Sequence, residues 1–300
     1  MRRPVREREV SVRSADGSRI HTEVHGEAGR PAVVLAHGWT CSLRFWAAQL
    51  ADLTADHRVI VYDQRGHGRT PAPSERTGYS TGTLADDLEA VLAATLEPGE
   101  RAVLAGHSMG GMTMMAAARR PGFREHAAAV LLCSTASSRL TSGVRLVPMR
   151  AGRVRSALTR RILGASLPLG PVTPLSKRLL RYGTMGAGAA PDRVTECARL
   201  VHACPRPVRA GWSHVLDELD LDAEVRELTV PTAVIGGSED RLTPPGQARA
   251  LAAALPDCVS LNVLTGVGHM TPVEAPEAVI GTIRELSATY LTTGAKEATA

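Results

Sequence analysis

The sequence predicts an α/β fold: a mostly parallel, eight-stranded sheet with helices on both faces and a helical lid inserted between two blocks of strands. Three observations carry this expectation. Short β-rich runs alternate with stretches of helical periodicity up to Ser134, and the alternation resumes at Thr232. Several of the strand runs are continuously apolar, as in Ala32–Ala36 (AVVLA), which suits a strand covered on both faces. Between the two blocks lies a long proline-punctuated segment with no such alternation.

Taken in order, Glu9–Arg13 and Arg19–His25 flank Asp16-Gly17, a strong hairpin signal. Ala32–Ala36 and Arg58–Tyr62 (RVIVY) read as buried strands, with a helix over Phe45–Leu53 between them. Leu84, Leu88, Val91, Leu92 and Leu96 recur at helical spacing, so Leu84–Leu96 is expected to be a helix. Ala102–Gly106 reads as a strand, Met109–Arg119 as a helix and Ala128–Cys133 as a strand. After the break come strand Thr232–Gly236, helix Gly246–Leu255, strand Val259–Val263 and helix Pro276–Tyr290. A strand pair followed by repeated β-α units implies a largely parallel sheet with helices on both faces.

The break contains Pro148, Pro168, Pro171, Pro174, Pro191, Pro205 and Pro207, and a loose glycine-rich piece, Gly183-Thr-Met-Gly-Ala-Gly188. Arg153–Ala165 and Asp192–Ala203 look like amphipathic helices within it. Structureless loops of such length are uncommon in compact domains, so a helical lid is expected. The expected organisation is a core of residues 1–134 and 212–292, a lid of residues 135–211 and a flexible tail of residues 293–300.

A chain of 300 residues that is 44% hydrophobic supports one large buried core, and a charged fraction of 22% argues against general disorder. The net charge of +5 is uneven. No acidic residue occurs between Glu125 and Asp192, a stretch with ten basic ones: Arg139, Arg145, Arg150, Arg153, Arg155, Arg160, Arg161, Lys177, Arg178 and Arg181. The rest of the chain therefore nets −5, a mildly acidic body carrying one basic segment. No nucleic-acid partner is expected. The five cysteines are odd in number and include no C-x-x-C pair, which disfavours a disulfide framework or a zinc site. Reduced thiols, no apolar signal region after the basic MRRPVREREV, and no apolar run approaching ~20 residues point to a cytoplasmic protein.

Gly106-His-Ser-Met-Gly110 fits G-x-S-x-G, with an expected strand before it and helix after it. The pattern has a steric logic: a serine exposed on a strained strand-to-helix turn needs small residues on either side, where chains pass closely. Ser108 is the candidate nucleophile. A serine hydroxyl needs a base, and the base an orienting acid. Asp240, in Gly236-Gly-Ser-Glu-Asp-Arg-Leu-Thr-Pro244, follows one expected strand, and His269, in Thr265-Gly-Val-Gly-His-Met270, follows the next. Both therefore fall at C-terminal strand ends, on the same sheet edge as Ser108.

The competing residues are weaker. Glu239 neighbours Asp240 and would point elsewhere, and His214 precedes the last two strands. His107 is expected to pack beneath the serine turn. His21 and His25 sit on a strand without the glutamate of a zinc protease, so they are read as structural. Acyl transfer also needs oxyanion donors. The backbone N–H of Met109 is one, and that of Trp39, in the His37-Gly38-Trp39 loop, is the other. Gly38, Trp39, Met109, Leu242 and Met270 are the candidate pocket residues.

These residues resemble the α/β-hydrolase superfamily over most of the chain outside the lid. Asp63-Gln-Arg-Gly-His-Gly-Arg69 and Val230-Pro231-Thr232 belong to the same resemblance. The single-Trp loop and GHSMGG are similar to serine esterases and the cofactor-free haloperoxidase-like group. The resemblance implies that Asp63–Arg69 shapes the fold near the site without being catalytic. Epoxide hydrolases and haloalkane dehalogenases carry Asp where Ser108 stands; proline iminopeptidases carry Trp where Met109 stands; carbon–carbon bond hydrolases usually carry Asn where His107 stands.

The expected activity is hydrolysis of a carboxylic ester, thioester or lactone with an apolar acyl group, through an acyl-enzyme and with no metal or organic cofactor. A non-hydrolytic relative (a cyclase, a lactonising acyltransferase or a ligand receptor) and a carbon–carbon bond hydrolase are the alternatives. On Arg153–Ala165, Val154, Leu158, Ile162 and Ala165 form one stripe, with the arginines mostly off it. The simpler reading puts that stripe over the pocket and the arginines in water. The sharper one is attraction of the basic lid to an anionic lipid surface, an acyl carrier protein or an acidic substrate.

Overall fold

The computed structural model describes residues 7–291 apart from 139, 148, 151 and 164–168. One sheet holds eight strands: β1 (Glu7–Arg13), β2 (Arg19–His25), β3 (Ala32–Ala36), β4 (Arg58–Tyr62), β5 (Ala102–His107), β6 (Ala127–Cys133), β7 (Thr232–Gly237) and β8 (Cys258–Leu264). Their spatial order is β1-β2-β4-β3-β5-β6-β7-β8. The pairs β1·β2 and β2·β4 are antiparallel and all other neighbours are parallel.

Before β6 lie α1 (Ala47–Leu53), α2 (Thr81–Thr95), α3 (Met109–Ala117) and α4 (Pro121–His126). Between β6 and β7 lie α5 (Leu140–Gly143), α6 (Arg153–Leu163), α7 (Pro174–Thr184), α8 (Pro191–Ala203), α9 (Arg206–Asp217) and α10 (Asp222–Val225). After β7 come α11 (Pro245–Ala254), α12 (Thr271–Glu274) and α13 (Pro276–Tyr290). No helix among the described residues is long and apolar enough to cross a membrane.

The continuous apolar strands do what their composition requires. Val34 and Ala36 of β3 pack into one layer with Leu88 and Leu92 of α2, whereas Val33 and Leu35 pack into the other with Leu53 of α1 and Ile283 of α13. Successive side chains alternate between faces, and both faces are covered, so every position in β3 must be apolar. The register sets Ala36 beside Gly106 and Cys133 beside Ile235. The C-terminal ends of β3, β5, β6 and β7 are thereby aligned on one edge.

Several elements differ from the expectation, each for a physical reason. Phe45–Leu53 divides into a 3₁₀ turn at Leu43–Trp46 followed by α1. Helix α2 starts at Thr81, three residues before the first leucine, because Ser80 and Thr83 form a capping box that apolar periodicity does not register. Helices α7 and α9 were not expected at all. Their prolines, read as interruptions, occupy the first helical positions, where no N–H is needed. The expected lid boundary at residue 212 falls inside α9. Trp212 is fully buried there, its ring edge-on to Tyr79 and its Nε1 donating to the Arg65 carbonyl at 3.0 Å. The tail of residues 293–300 and the last two residues of the helix expected at Arg153–Ala165 lie outside the described residues.

Candidate active site

Ser108 links β5 directly to α3 and has φ +51°, a left-handed conformation that a serine adopts only at a cost of about 1–3 kcal/mol. The flanking glycines make the turn feasible. A Cβ on Gly110 would overlap the Ala36 carbonyl, and one on Gly106 would overlap the backbone of Gly110. The turn is anchored by Ser108 N–H donating to the Cys133 carbonyl at 2.9 Å and by Thr135 Oγ1 donating to the Ser108 carbonyl at 2.7 Å. Ser108 is half-buried and lines a cavity of about 370 Å³.

The structure brings Asp240 and His269 together, His269 Nδ1 lying 2.9 Å from Asp240 Oδ2. Both are almost fully buried. Asp240 is saturated with donors: Leu242 N–H and Thr243 N–H reach Oδ1, each at 2.8 Å, and Thr243 Oγ1 donates to Oδ2 at 2.7 Å. A buried carboxylate with this set of partners is held in one orientation, and it presents an acceptor to the imidazole Nδ1–H. His269 also lines the cavity. No hydrogen bond joins it to the Ser108 hydroxyl among the described residues.

The loop after β3 lies against the same turn. A Cβ on Gly38 would come within 2.7 Å of His107 Nδ1 and 3.2 Å of Ser108 Cβ, so only glycine lets the loop approach this closely. The Met109 and Trp39 N–H groups have no partner among the described residues; Met109 is the first residue of α3, where helix N–H groups are intrinsically unsatisfied. The Asp63–Arg69 segment fastens this loop. Asp63 accepts from Leu43 N–H and Arg69 N–H, both at 2.8 Å. His67 Nε2 accepts from Thr40 N–H at 3.2 Å, His37 Nε2 accepts from Gln64 N–H at 3.0 Å, and Gln64 Nε2 donates to the His37 carbonyl. Burial pushes His37 down to about 4 and His67 down to about 3, so both rings are neutral and keep an acceptor nitrogen for these bonds.

Of the expected pocket residues, Trp39, Leu242 and Met270 line the cavity, and Gly38 and Met109 do not. The Met109 side chain is fully buried in the core beneath α3, and a Cβ on Gly38 would lie 3.2 Å from Ser108 Cβ. His107 packs under the turn, stacked on Phe45 with centroids 4.6 Å apart. It also does more than fill space, since its Nε2 lies 2.9 Å from the His269 carbonyl. His214 lines the cavity as well, whereas His21 and His25 both pair with Glu23 on β2. No group of His, Cys, Asp or Glu among the described residues is placed to hold a metal ion.

Glu274 was missed. Its Oε1 accepts from Met270 N–H at 3.1 Å and its Oε2 from Gly268 N–H at 3.1 Å, so one carboxylate grips the chain on both sides of His269. The same Oε2 accepts from Gly186 N–H at 2.7 Å. Burial raises the Glu274 pKa, with the three N–H donors opposing. Its only sequence signal is position, five residues after the histidine. The glycine-rich piece 183–188 is likewise not loose: a Cβ on Gly186 would overlap the Gly266 carbonyl.

An eight-stranded sheet of this topology, with a serine turn after β5 and an Asp-His contact beyond β7 and β8, defines an α/β-hydrolase. The family model for the alpha/beta hydrolase fold matches residues 31–276, and the chain belongs to that family as a hydrolase of the α/β fold. Among curated proteins it is 32% identical to the "Putative carbamate hydrolase RutD" of Variovorax paradoxus, over 83% of this chain and 89% of that one. It is 29% identical to the non-heme chloroperoxidase of Streptomyces lividans, over 90% of this chain and 96% of that one. Among solved structures, the enol-lactonase from Burkholderia xenovorans superposes with a TM-score of 0.70 at 26% identity, covering 93% of this chain and 99% of that one.

Proposed function

We propose that this chain is a serine hydrolase that cleaves a carboxylic ester, thioester or lactone through an acyl-enzyme on Ser108. The observation that carries the reading is the 2.9 Å contact between His269 and Asp240, placed at the cavity into which Ser108 projects. Asp240 holds the tautomer with the proton on Nδ1, which leaves Nε2 free to take the Ser108 proton. In ligand-free sites the serine-to-histidine bond is often long and tightens when substrate binds. Ser108 Oγ then attacks the carbonyl carbon, and the N–H groups of Met109 and Trp39 receive the oxyanion. His269 returns the proton to the leaving alcohol, and a water activated by the same imidazole releases the acid.

The cavity wall supports an apolar acyl group, because Val144, Leu146, Leu169, Val201 and Leu216 face it. All five lie between β6 and β7, so the helical insertion acts as the lid that selects substrate. A carbamate is the second reading, favoured by the similarity to proteins named as carbamate hydrolases. The same serine would attack a carbamate carbonyl.

The test is a panel of p-nitrophenyl esters of increasing chain length, lactones and simple carbamates, run with the native protein and Ser108→Ala. Native turnover that disappears in the folded variant, with fluorophosphonate labelling confined to Ser108, is the expected result. Full turnover in Ser108→Ala would sink the assignment, and turnover of carbamates alone would favour the second reading.

A further inference from the structure

The insertion carries an apolar surface that the cavity uses only in part, at Ile162 and Leu169. Nine of the eleven large hydrophobic residues exposed among the described residues lie between Met149 and Tyr182. On α6, Ile162 contributes to the cavity wall, but Val154 and Leu158 of the same stripe are 69% and 41% exposed, so the stripe is not simply a cover for the pocket. On α7, Leu175, Leu179 and Tyr182 recur at helical spacing and are 66%, 63% and 44% exposed. Exposed arginines are interleaved with them, including Arg153 and Arg161 on α6 and Arg178 and Arg181 on α7. The acid-free sequence from His126 to Pro191 provides no carboxylate of its own to neutralise them. Arg160 and Ile162 of α6, Leu169, and Thr184 at the end of α7 line the cavity, so this surface adjoins the site.

We propose that this face of the insertion docks on an anionic lipid bilayer. Projecting leucines need an apolar medium and the arginines need anions, and the boundary between headgroups and acyl chains supplies both. A second copy of the chain would oppose like charges. A nucleic acid would meet the arginines and leave the leucines in water. Docking would bring the cavity to the lipid surface, where apolar acyl substrates concentrate.

The full chain carrying Ser108→Ala, which leaves lipid intact, is sedimented with vesicles of phosphatidylcholine alone or of phosphatidylcholine mixed with phosphatidylglycerol. Binding is expected to the mixed vesicles, weakly to phosphatidylcholine alone, and to fall as salt is added. Arg178→Gln with Arg181→Gln should weaken partitioning roughly twenty-five-fold, about fivefold for each arginine. Leu175→Ser with Leu179→Ser should weaken it roughly tenfold or more. In the native Ser108 background, both double variants should keep their melting temperature and hydrolyse a water-soluble ester normally. Absence of binding to the mixed vesicles, equal binding to both lipids, indifference to salt and to both variants, or binding to an acyl carrier protein instead would each overturn the proposal. The readout needs no turnover, so its failure leaves the Ser108 chemistry untouched.

Discussion

The backbone N–H of His269 donates to the Thr184 carbonyl at 2.8 Å, which ties the imidazole loop beyond β8 to the last turn of α7. Met270 N–H reaches the same carbonyl at 3.2 Å, and Glu274 joins Gly186 to Gly268. The insertion therefore bears on the site twice, as cavity wall and as a support for the histidine. A change that moves the Thr184 carbonyl can alter the position of His269 as well as the shape of the pocket.

Glu274→Gln tests that support. The glutamine keeps the size of the side chain but turns an N–H₂ toward backbone N–H groups that now meet an acceptor. A loss of about 1–3 kcal/mol in stability is expected. A fall in kcat of roughly tenfold with little change in KM should accompany it, because loosening the proposed general base, His269, impairs proton transfer more than binding. Steady-state kinetics beside a thermal melt decide the matter; a destabilised enzyme with native kcat would show Glu274 to be structural only.

Asp240→Asn should preserve the loop and lose the chemistry. The Thr243 and Leu242 N–H groups can still find the amide oxygen, whereas the amide N–H₂ would face Nδ1 and favour the wrong tautomer. A drop in kcat on the order of 10³–10⁴-fold is expected in a folded protein. Activity within tenfold of native would remove Asp240 from the proposed mechanism.

Gly38→Ala probes the proposed oxyanion loop. The new methyl would press on His107 Nδ1 and Ser108 Cβ, so the loop must retreat and carry the Trp39 N–H with it. The loss of one donor costs about 10²–10³-fold in kcat. Measured kcat close to native would mean that Trp39 N–H is not a donor.

Stability should depend on pH through three buried rings. His37 and His67 are held down to about 4 and about 3, and burial and the neighbouring His269 keep His107 well below its ordinary value of 6.5. In the unfolded chain each ring titrates near about 6.5, so as the pH falls below that the unfolded state binds protons the folded state refuses. The stabilisation is complete above that pH and declines as pH falls toward the folded values, at up to about 1.4 kcal/mol per pH unit for each ring. Burial raises the carboxylates Asp63, Asp87 and Glu274, which act in the opposite sense. As pH falls the folded state takes up their protons before the unfolded state does, which offsets part of the histidine slope. Denaturant melts from about pH 6.5 to 5 should still show a net loss of stability, at most about three protons' worth; a flat profile in the variant Glu274→Gln would contradict neutral burial of the rings.

Much of this was legible because it is locally encoded. A buried strand such as Arg58–Tyr62 is recognisable from five consecutive residues, and the Ser108 turn from the steric needs of one strand-to-helix junction. What was missed depends on contacts across long separations. Glu274 was unremarkable until Gly186, Gly268 and Met270 converged on it. Met109 was assigned to the pocket from its position, although α3 turns its side chain into the core. The prolines of α7 and α9 carried two meanings, helix start or interruption, and local context alone did not separate them.

By itself the sequence determined the class of sheet, its eight strands and the strand ends that bear Ser108, Asp240 and His269, since periodicity and tight turns are properties of short stretches. Only the tertiary structure decided that Asp240 and His269 touch, that Glu274 and Thr184 hold the imidazole loop, and that the apolar stripe of α6 stands largely in the open. Those outcomes depend on how the insertion packs back on the sheet edge, and that packing is a balance of many distant contacts, none of which a local pattern records.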